Sequence, residues 1–223
     1  MAEHAAHHHE PGEDVVFGQY ETIEQQRESY IVGMWTFLVT EVMFFGGLFL
    51  VYTLYRWKYA DVWFNMSEHH VSWEWGGLNT VILLVSSFFV AKAVQQAQQR
   101  KTKIQIRYLW LTVLCACGFL VVKYIEYTHK IHDRLYPDWY FQAPDGLEHG
   151  PSRLFLSLYF AMTGLHGVHV LVGIIVITTL IFMTKAKAPS ISDYIPTEMV
   201  ALYWHFVDLV WIFLYPLFYL IPA

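Results

Sequence analysis

The chain has 223 residues, of which 56% are apolar and only 15% are charged. Soluble domains carry about 25% charged residues, so a water-soluble fold would have to bury far too much apolar surface. The net charge of −5 comes largely from an acidic N-terminal tail and excludes a basic nucleic-acid-binding protein. Composition therefore indicates a membrane protein.

Five long apolar segments follow the tail. They cover residues 30–55, residues from Leu78 to the polar run that begins at Gln95, and residues 108–127, 154–184 and 199–221. About 20 apolar residues in a helix cross the roughly 30 Å hydrocarbon core of a bilayer. Because lipid cannot solvate bare backbone, segments of this kind must form helices. The pattern predicts an all-α fold, a polytopic bundle of five transmembrane helices.

The chain divides into a tail and one membrane domain. Residues 30–223 are predicted to form the five-helix domain, and residues 1–29 a polar, flexible tail. The tail carries four histidines, His4, His7, His8 and His9. A short His-rich tract at a chain end, flanked by acids, is typical of a solvated segment, and we assign it no function.

Charge predicts the orientation of the bundle. Five crossings place the termini on opposite sides, and the N-terminal side receives Arg27, Arg100, Lys101, Lys103, Arg107, Lys185 and Lys187. The other side receives Arg56, Lys58, Lys130, Arg134 and Arg153, in longer and more acidic loops. Positive charge in short loops marks the cytoplasm. We expect a cytoplasmic N-terminus and a periplasmic or extracellular C-terminus, with the first span directing insertion.

One carboxyl group is placed deep in the first span. Glu41 is eleven residues in from residue 30, or roughly 16 Å along a helix, which is near the membrane midplane. An isolated carboxylate at that depth costs several kcal/mol, so it must be protonated, paired, or facing a hydrated or protein-lined cavity. Hydrogen bonding between helices and proton handling both explain such a residue.

Two spans carry pairs of ionisable residues. His166 and His169 are three apart in the fourth span, and His205 and Asp208 are three apart in the fifth. That spacing puts each pair on one helix face, so that the two stripes could meet. Haem, copper and di-metal sites use these residue types, but a di-metal bundle needs repeated Glu-x-x-His pairs. Hydrogen bonding between helices is the preferred interpretation over metal binding.

Smaller features of the spans predict packing. Gly164 and Gly167 flank His166 and should allow another helix backbone to approach closely. Cys115 and Cys117 point about 200° apart on a helix, which excludes a bridge between them and favours buried packing.

A further pair of charges ends the third span. Lys123 and Glu126 are three residues apart, and we expect them to neutralise each other at the membrane interface.

Five groups of residues carry a family resemblance. They are residues 37–45, 78–80 with Ser86 and Ser87, Glu126 with Tyr127, 163–170 with Gly173, and 203–211. In order and spacing they resemble subunit III of cytochrome c oxidase, in the five-helix form found in bacteria. Two features depart from the family pattern. The first two helices of the seven-helix form have no counterpart here, which leaves open whether this chain binds phospholipid. In addition, Lys123 stands where the longer form has a glutamine.

The resemblance implies a partner of catalysis that has no catalytic residue, cofactor site or metal site of its own. Haem and copper are expected in partner subunits I and II, with subunit I the main contact, in a bacterial inner membrane. The subunit would support assembly, stability and proton uptake of the oxygen-reducing core. Glu41 matches the family's buried carboxyl. Glu126, His166, His169, His205 and Asp208 fall on other motif positions.

Other functions share these features. An accessory subunit of a quinol oxidase or nitric oxide reductase would look similar. A stand-alone membrane proton channel would use the same intramembrane acids but would need a hydrated path. A metal-bearing redox subunit would hold its own iron or copper. Sequence does not reveal the electron donor or the haem type.

Overall fold

The computed structural model describes residues 16, 18–137, 141, 143–144, 147–187 and 193–220. Within these residues the chain forms six α-helices and no strand. They are α1 (Ile23–Lys58), α2 (Ala60–His70), α3 (Trp73–Gln98), α4 (Thr102–His132), α5 (His149–Lys185) and α6 (Ile195–Tyr219). The four tail histidines lie outside the described residues.

Five of these helices are long and apolar enough to cross a membrane, as predicted: α1, α3, α4, α5 and α6. The sequence did not indicate α2, whose eleven residues link α1 to α3. Gly76 and Gly77 were expected to break the chain before the second span, but α3 begins at Trp73 and runs through both glycines. Pro151 was expected in a loop and lies in the first turn of α5, where a missing N–H costs no helical hydrogen bond.

Helices α3 and α4 form an antiparallel hairpin along a heptad seam. The buried residues of α3 alternate spacings of three and four: Gly76, Asn79, Leu83, Ser86, Val90 and Ala93. Those of α4 do the same and include Leu109, Ala116, Phe119, Lys123, Glu126 and Lys130. This spacing keeps one narrow stripe of each helix facing its neighbour, as in left-handed helical bundles. Charged side chains of α4 therefore lie on its inward face.

Helix α6 is central and α1 is peripheral. In the most apolar stretch of α6 half of the residues are buried, whereas in that of α1 only 17% are. After Gln26 near its start, the buried residues of α1 recur only every seven positions, at Leu38, Phe45 and Tyr52. Phe45 packs edge-on against Phe206 of α6, and Tyr52 against Phe218. Most of α1 is thus left for contact with lipid or another protein.

Contacts between helix ends agree with five alternating crossings. Arg27 at the start of α1 pairs with Asp193 just before α6, at 2.8 Å. Gln105 near the start of α4 donates to Thr197 near the start of α6, at 3.0 Å. The basic residues predicted on the N-terminal side therefore share one end of the bundle.

Three helices are followed by a left-handed residue within the described part of the chain. Arg100 follows α3 with φ 57°, Arg134 follows α4 with φ 55°, and Lys187 follows α5 with φ 52°. After α4, Leu135 N–H donates to Lys130 O and Arg134 N–H to Ile131 O, at 2.9 and 3.1 Å. This is the Schellman arrangement, which satisfies the last carbonyls of the helix and usually places glycine where Arg134 stands.

Close helix packing occurs at glycines other than those predicted. A Cβ on Gly173 would lie 2.7 Å from the Trp204 ring, and one on Gly76 would lie 2.6 Å from the Tyr219 ring. The expectation for Gly164 and Gly167 was wrong: a Cβ on Gly164 meets only the Tyr127 hydroxyl, at 3.7 Å, and one on Gly167 meets nothing within 4 Å.

The two cysteines are also less enclosed than predicted. Both are free, with Cys115 half-buried and Cys117 exposed. The heptad seam of α4 passes through Ala116, so the residues on either side of it point away from the interior.

Candidate functional site

Charged groups of α4 form an ion pair inside the bundle. Lys123 Nζ donates to Glu126 Oε2 at 2.9 Å, which confirms the predicted pairing. Both side chains are buried, at 8% and 4% exposure, so the pair lies among the helices of the bundle. The heptad seam explains this, since both residues occupy inward positions of α4.

Two tyrosines complete this cluster. Tyr159 of α5 donates to Glu126 Oε1 at 2.6 Å, and Tyr219 of α6 donates to the same oxygen at 2.8 Å. Lys123 also donates to both hydroxyls. The carboxylate thus accepts bonds from three helices, which satisfies a charge that would otherwise be very costly to bury. We call Lys123, Glu126, Tyr159 and Tyr219 the α4–α6 cluster.

Aromatic rings enclose the ammonium group of Lys123. Its Nζ lies 4.9 Å from the Trp211 ring centre, 5.1 Å from Tyr219, 5.2 Å from Tyr159 and 5.6 Å from Tyr127. Rings attract a cation through their electron-rich faces, most strongly where water is excluded. The cage therefore compensates part of the desolvation of Lys123.

Hydroxyl groups of α1 and α2 cap the C-terminal end of α6 next to this cluster. Tyr52 of α1 donates to Leu217 O, and Ser67 of α2 donates to Phe218 O at 2.7 Å. The last carbonyls of a helix lack intrahelical partners, and in lipid they must find others. Helix α2 thus has a structural role, because it supplies one of the caps of α6.

A second polar site joins α1 to α5. His169 Nε2 lies 3.1 Å from Glu41 Oε2, and the two side chains are 15% and 19% exposed. The predicted intramembrane carboxyl is therefore paired. Tyr203 of α6 donates to the backbone carbonyl of His169 at 3.0 Å, and the Phe45 ring lies edge-on to the imidazole at 5.2 Å.

Hydrogen bonding indicates which ring nitrogen of His169 bears a proton. His169 Nδ1 lies 2.9 Å from Leu165 O, and since a carbonyl only accepts, Nδ1 must bear a proton. One further proton lies between Nε2 and the carboxyl oxygen. The pair is then either imidazolium with carboxylate or neutral imidazole with neutral acid. Both arrangements have zero net charge, which suits the depth of Glu41 in the membrane.

His205 and Asp208 of α6 turn towards α3. His205 Nδ1 and Ser87 Oγ lie 2.7 Å apart, and Trp204 Nε1 donates to Ser86 Oγ at 2.9 Å. The two His-containing stripes do not bond to each other directly: His205 bonds to α3, whereas His169 bonds to α1. His166 and Asp208 are fully enclosed, and neither makes a hydrogen bond with its side chain within the described residues.

The sequence did not single out the hydroxyl groups of these sites. Tyr159, Tyr203 and Tyr219 each bind a predicted residue, or its backbone, across a helix boundary. A signal was available for Tyr159, which lies seven residues before His166 and so shares its face of α5. A single sequence carries no signal that shows which residue of another helix each hydroxyl group binds.

No group of three or more His, Cys, Asp or Glu side chains in the described part of the chain is arranged to hold a metal ion. Glu41, Glu126 and His169 are instead bonded to neighbouring helices or to each other.

Comparison with known proteins gives a consistent result. A family model described as Cytochrome c oxidase subunit III matches residues 13–222. Cytochrome c oxidase subunit 3 of Synechocystis sp. is 32% identical over 193 residues, 85% of this chain and 74% of that protein. Cytochrome bo(3) ubiquinol oxidase subunit 3 of Buchnera aphidicola is 27% identical over 88% of this chain and 96% of that protein. Quinol oxidase subunit 3 of Bacillus subtilis is 28% identical over 85% and 86%.

Proposed function

The chain belongs to the cytochrome c oxidase subunit III family, and we propose that it supports the assembly, stability and proton uptake of a haem-copper terminal oxidase without catalysing the reaction itself. The observation that carries this proposal is the family match over residues 13–222, which includes all five spans. Subunit I is the proposed main partner and subunit II a second one. Haem and copper belong to those partners, and this chain holds none.

The polar sites have a structural role in this proposal. The α4–α6 cluster ties three helices together, and the Glu41–His169 pair attaches the otherwise peripheral α1 to α5. Between helices in lipid, apolar burial supplies little drive to associate, so packing and hydrogen bonds carry more of the cohesion. A firmly joined bundle can then present a fixed surface to subunit I. The apolar residues that α1 leaves exposed contact subunits or membrane lipid.

Proton handling is assigned to the Glu41–His169 pair. The pair contains one proton that can reside on either partner without a change in net charge, and both side chains keep some exposure. We place its contribution to proton uptake here, as support for the core enzyme.

The electron donor is cytochrome c or a quinol. Relatives named for both oxidase types match at 27–32% identity over most of the chain, so similarity does not separate them. Oxygen consumption by the purified complex with reduced cytochrome c, and separately with a quinol, distinguishes the two.

The proposed location is a bacterial inner membrane with a cytoplasmic N-terminus. The shared end of α1, α4 and α6 collects the basic residues of short connections, which favours that end inside the cell. Labelling of intact spheroplasts with a membrane-impermeant thiol reagent tests it. A cysteine at Lys58 should react and one at Lys101 should be protected. The opposite pattern would reverse the orientation.

Purification in mild detergent tests the central proposal. The affinity-tagged chain should bring down larger subunits, and the complex should show haem absorption bands. The complex should consume oxygen with one of the two donors. If the chain purifies alone from its native membrane and conducts protons when reconstituted alone, it is a stand-alone channel and the proposal fails.

A further inference from the structure

Four enclosed side chains have a polar atom with no hydrogen-bond partner among the described residues: Trp63, Asn79, His166 and Asp208. Three of them lie on α3, α5 and α6, namely Asn79, His166 and Asp208, with exposures of 0%, 0% and 3%. Neither amide atom, neither ring nitrogen and neither carboxyl oxygen makes a hydrogen bond within the described residues. Burying one such group unpaired costs roughly 1–3 kcal/mol by mutational measurements, and an ionised group more. Three together are a large penalty for one bundle.

Trp211 links these side chains. The His166 ring centre lies 5.2 Å from that of Trp211. The Trp211 indole donates to Thr80, the residue after Asn79, at 3.1 Å. Asp208 precedes Trp211 by three residues on α6, which puts the two on neighbouring positions of one face. The unpaired groups therefore come from three helices that meet at Trp211: His166 lies against its ring, Asn79 precedes the residue that its indole binds, and Asp208 lies about one turn before it on α6.

No partner subunit or lipid headgroup can supply the missing bonds. All three side chains are buried by this chain alone, so a partner subunit or a lipid headgroup cannot reach them. Nearby protein groups are already used. Lys123, over the Trp211 ring, donates to Glu126 and two tyrosines, and the Ser87 hydroxyl, which interacts with Asp208, is shared with His205 Nδ1 at 2.7 Å.

Water is the ligand that fits this chemistry. The three side chains together offer both hydrogen-bond donors and hydrogen-bond acceptors, as a network of water molecules needs. A buried water molecule makes about three hydrogen bonds. Polar groups in the interior of membrane bundles characteristically face one another or a hydrated cavity. A metal ion fits less well, because no three ligating side chains in the described part of the chain are arranged to hold one.

We propose that Asn79, His166 and Asp208 form an internal water-binding site around Trp211. Ordered water molecules bridge the carboxyl group, the imidazole and the amide, and give the middle of the bundle a hydrated polar core. The site is separate from the α4–α6 cluster and from the Glu41–His169 pair, and it does not depend on which oxidase the chain serves.

A cryo-electron microscopy map that resolves ordered water tests this directly, on the protein as purified from its native membrane. We expect density for water within about 3.2 Å of the Asp208 carboxyl and of a His166 ring nitrogen. A map that shows water elsewhere in the bundle but none beside these side chains would overturn the proposal.

Replacing a polar residue of the site by leucine gives a second test, because a dry core and a hydrated core predict opposite changes in the thermal unfolding midpoint. If the core is dry, Asn79→Leu and Asp208→Leu remove an unpaired polar group at nearly constant shape, and the thermal unfolding midpoint should stay or rise. If waters bridge the groups, each variant breaks the network and lowers the midpoint. Thr112→Val is the matched control, because this buried hydroxyl donates only to its own helix at Tyr108 O. A midpoint that rises or holds in both variants would overturn the proposal.

Discussion

The Tyr219 hydroxyl donates to the Glu126 carboxylate at 2.8 Å, across 93 residues of sequence and from the last turn of α6 to α4. Glu126 also receives bonds from α5 and from its own helix. A charge that would be prohibitive in lipid becomes a junction of three helices because donors from all three helices bind the carboxylate. The bundle depends on such junctions more than a soluble protein would.

The first prediction concerns the Lys123–Glu126 pair. Lys123→Met leaves the carboxylate buried without its cation, and the free energy of unfolding should fall by about 3–5 kcal/mol. Adding Glu126→Gln to this variant removes the uncompensated charge and should recover most of the loss. Chemical unfolding in mixed micelles measures both. If the double variant is as unstable as the sum of the single ones, the two residues do not act as a pair.

The second prediction compares two glycines of α5. Gly173→Ala places a Cβ 2.7 Å from the rigid Trp204 indole, so the helices must separate, at a cost of about 1–3 kcal/mol. Gly167→Ala meets no atom within 4 Å and should be neutral or slightly stabilising, because alanine favours helix more than glycine does. Thermal unfolding midpoints of the two variants give the comparison. Equal effects would mean that Gly173 does not set the approach of α5 to α6.

The third prediction concerns Glu41. Glu41→Gln keeps the shape and can still donate to His169 Nε2, so the variant should remain in the complex at nearly the native level. Glu41→Lys places a second cation-forming group against His169 at membrane depth, where a lysine costs about 2.5–3.5 kcal/mol, and should reduce retention. Quantitative immunoblotting of purified complexes measures this. Similar retention of both variants would indicate that Glu41 faces water.

The fourth prediction concerns the turn after α4. Arg134 adopts φ 55°, which strains any residue with a Cβ. Arg134→Gly should raise stability by up to about 1 kcal/mol, whereas Arg134→Ala, which also removes the charge but keeps the Cβ, should give no gain. Thermal unfolding midpoints of the two variants measure the difference. If alanine stabilises as much as glycine, the effect comes from the charge and not from the backbone.

Much of the fold followed from the sequence because lipid imposes a simple rule. Every long apolar segment had to be a helix, and five were found where five were predicted. Local exceptions had local causes. Helix α2 was missed because a segment of eleven mixed polar and apolar residues is too short to cross a membrane. Gly76 was taken for a chain break because the Tyr215 and Tyr219 rings that pack against it belong to another helix and leave no signal in the sequence around the glycine.

The sites were predictable only in part. Lys123 and Glu126 lie three apart on one helix, so their pairing could be foreseen. The partner of Glu41 lies 128 residues away, and no periodicity predicts which histidine turns towards it. His166 and His169 share a span but point to different neighbours, because consecutive inward positions of a central helix face different helices.

We propose above all that the ionisable side chains within the membrane spans join helices and bind water, while the redox centres belong to partner subunits. Metal analysis of the isolated chain, separated from its complex in detergent and still folded by circular dichroism, tests this most directly. We predict iron and copper far below one atom per chain, with haem bands confined to the remaining subunits. Stoichiometric iron or copper in the isolated chain would contradict this assignment.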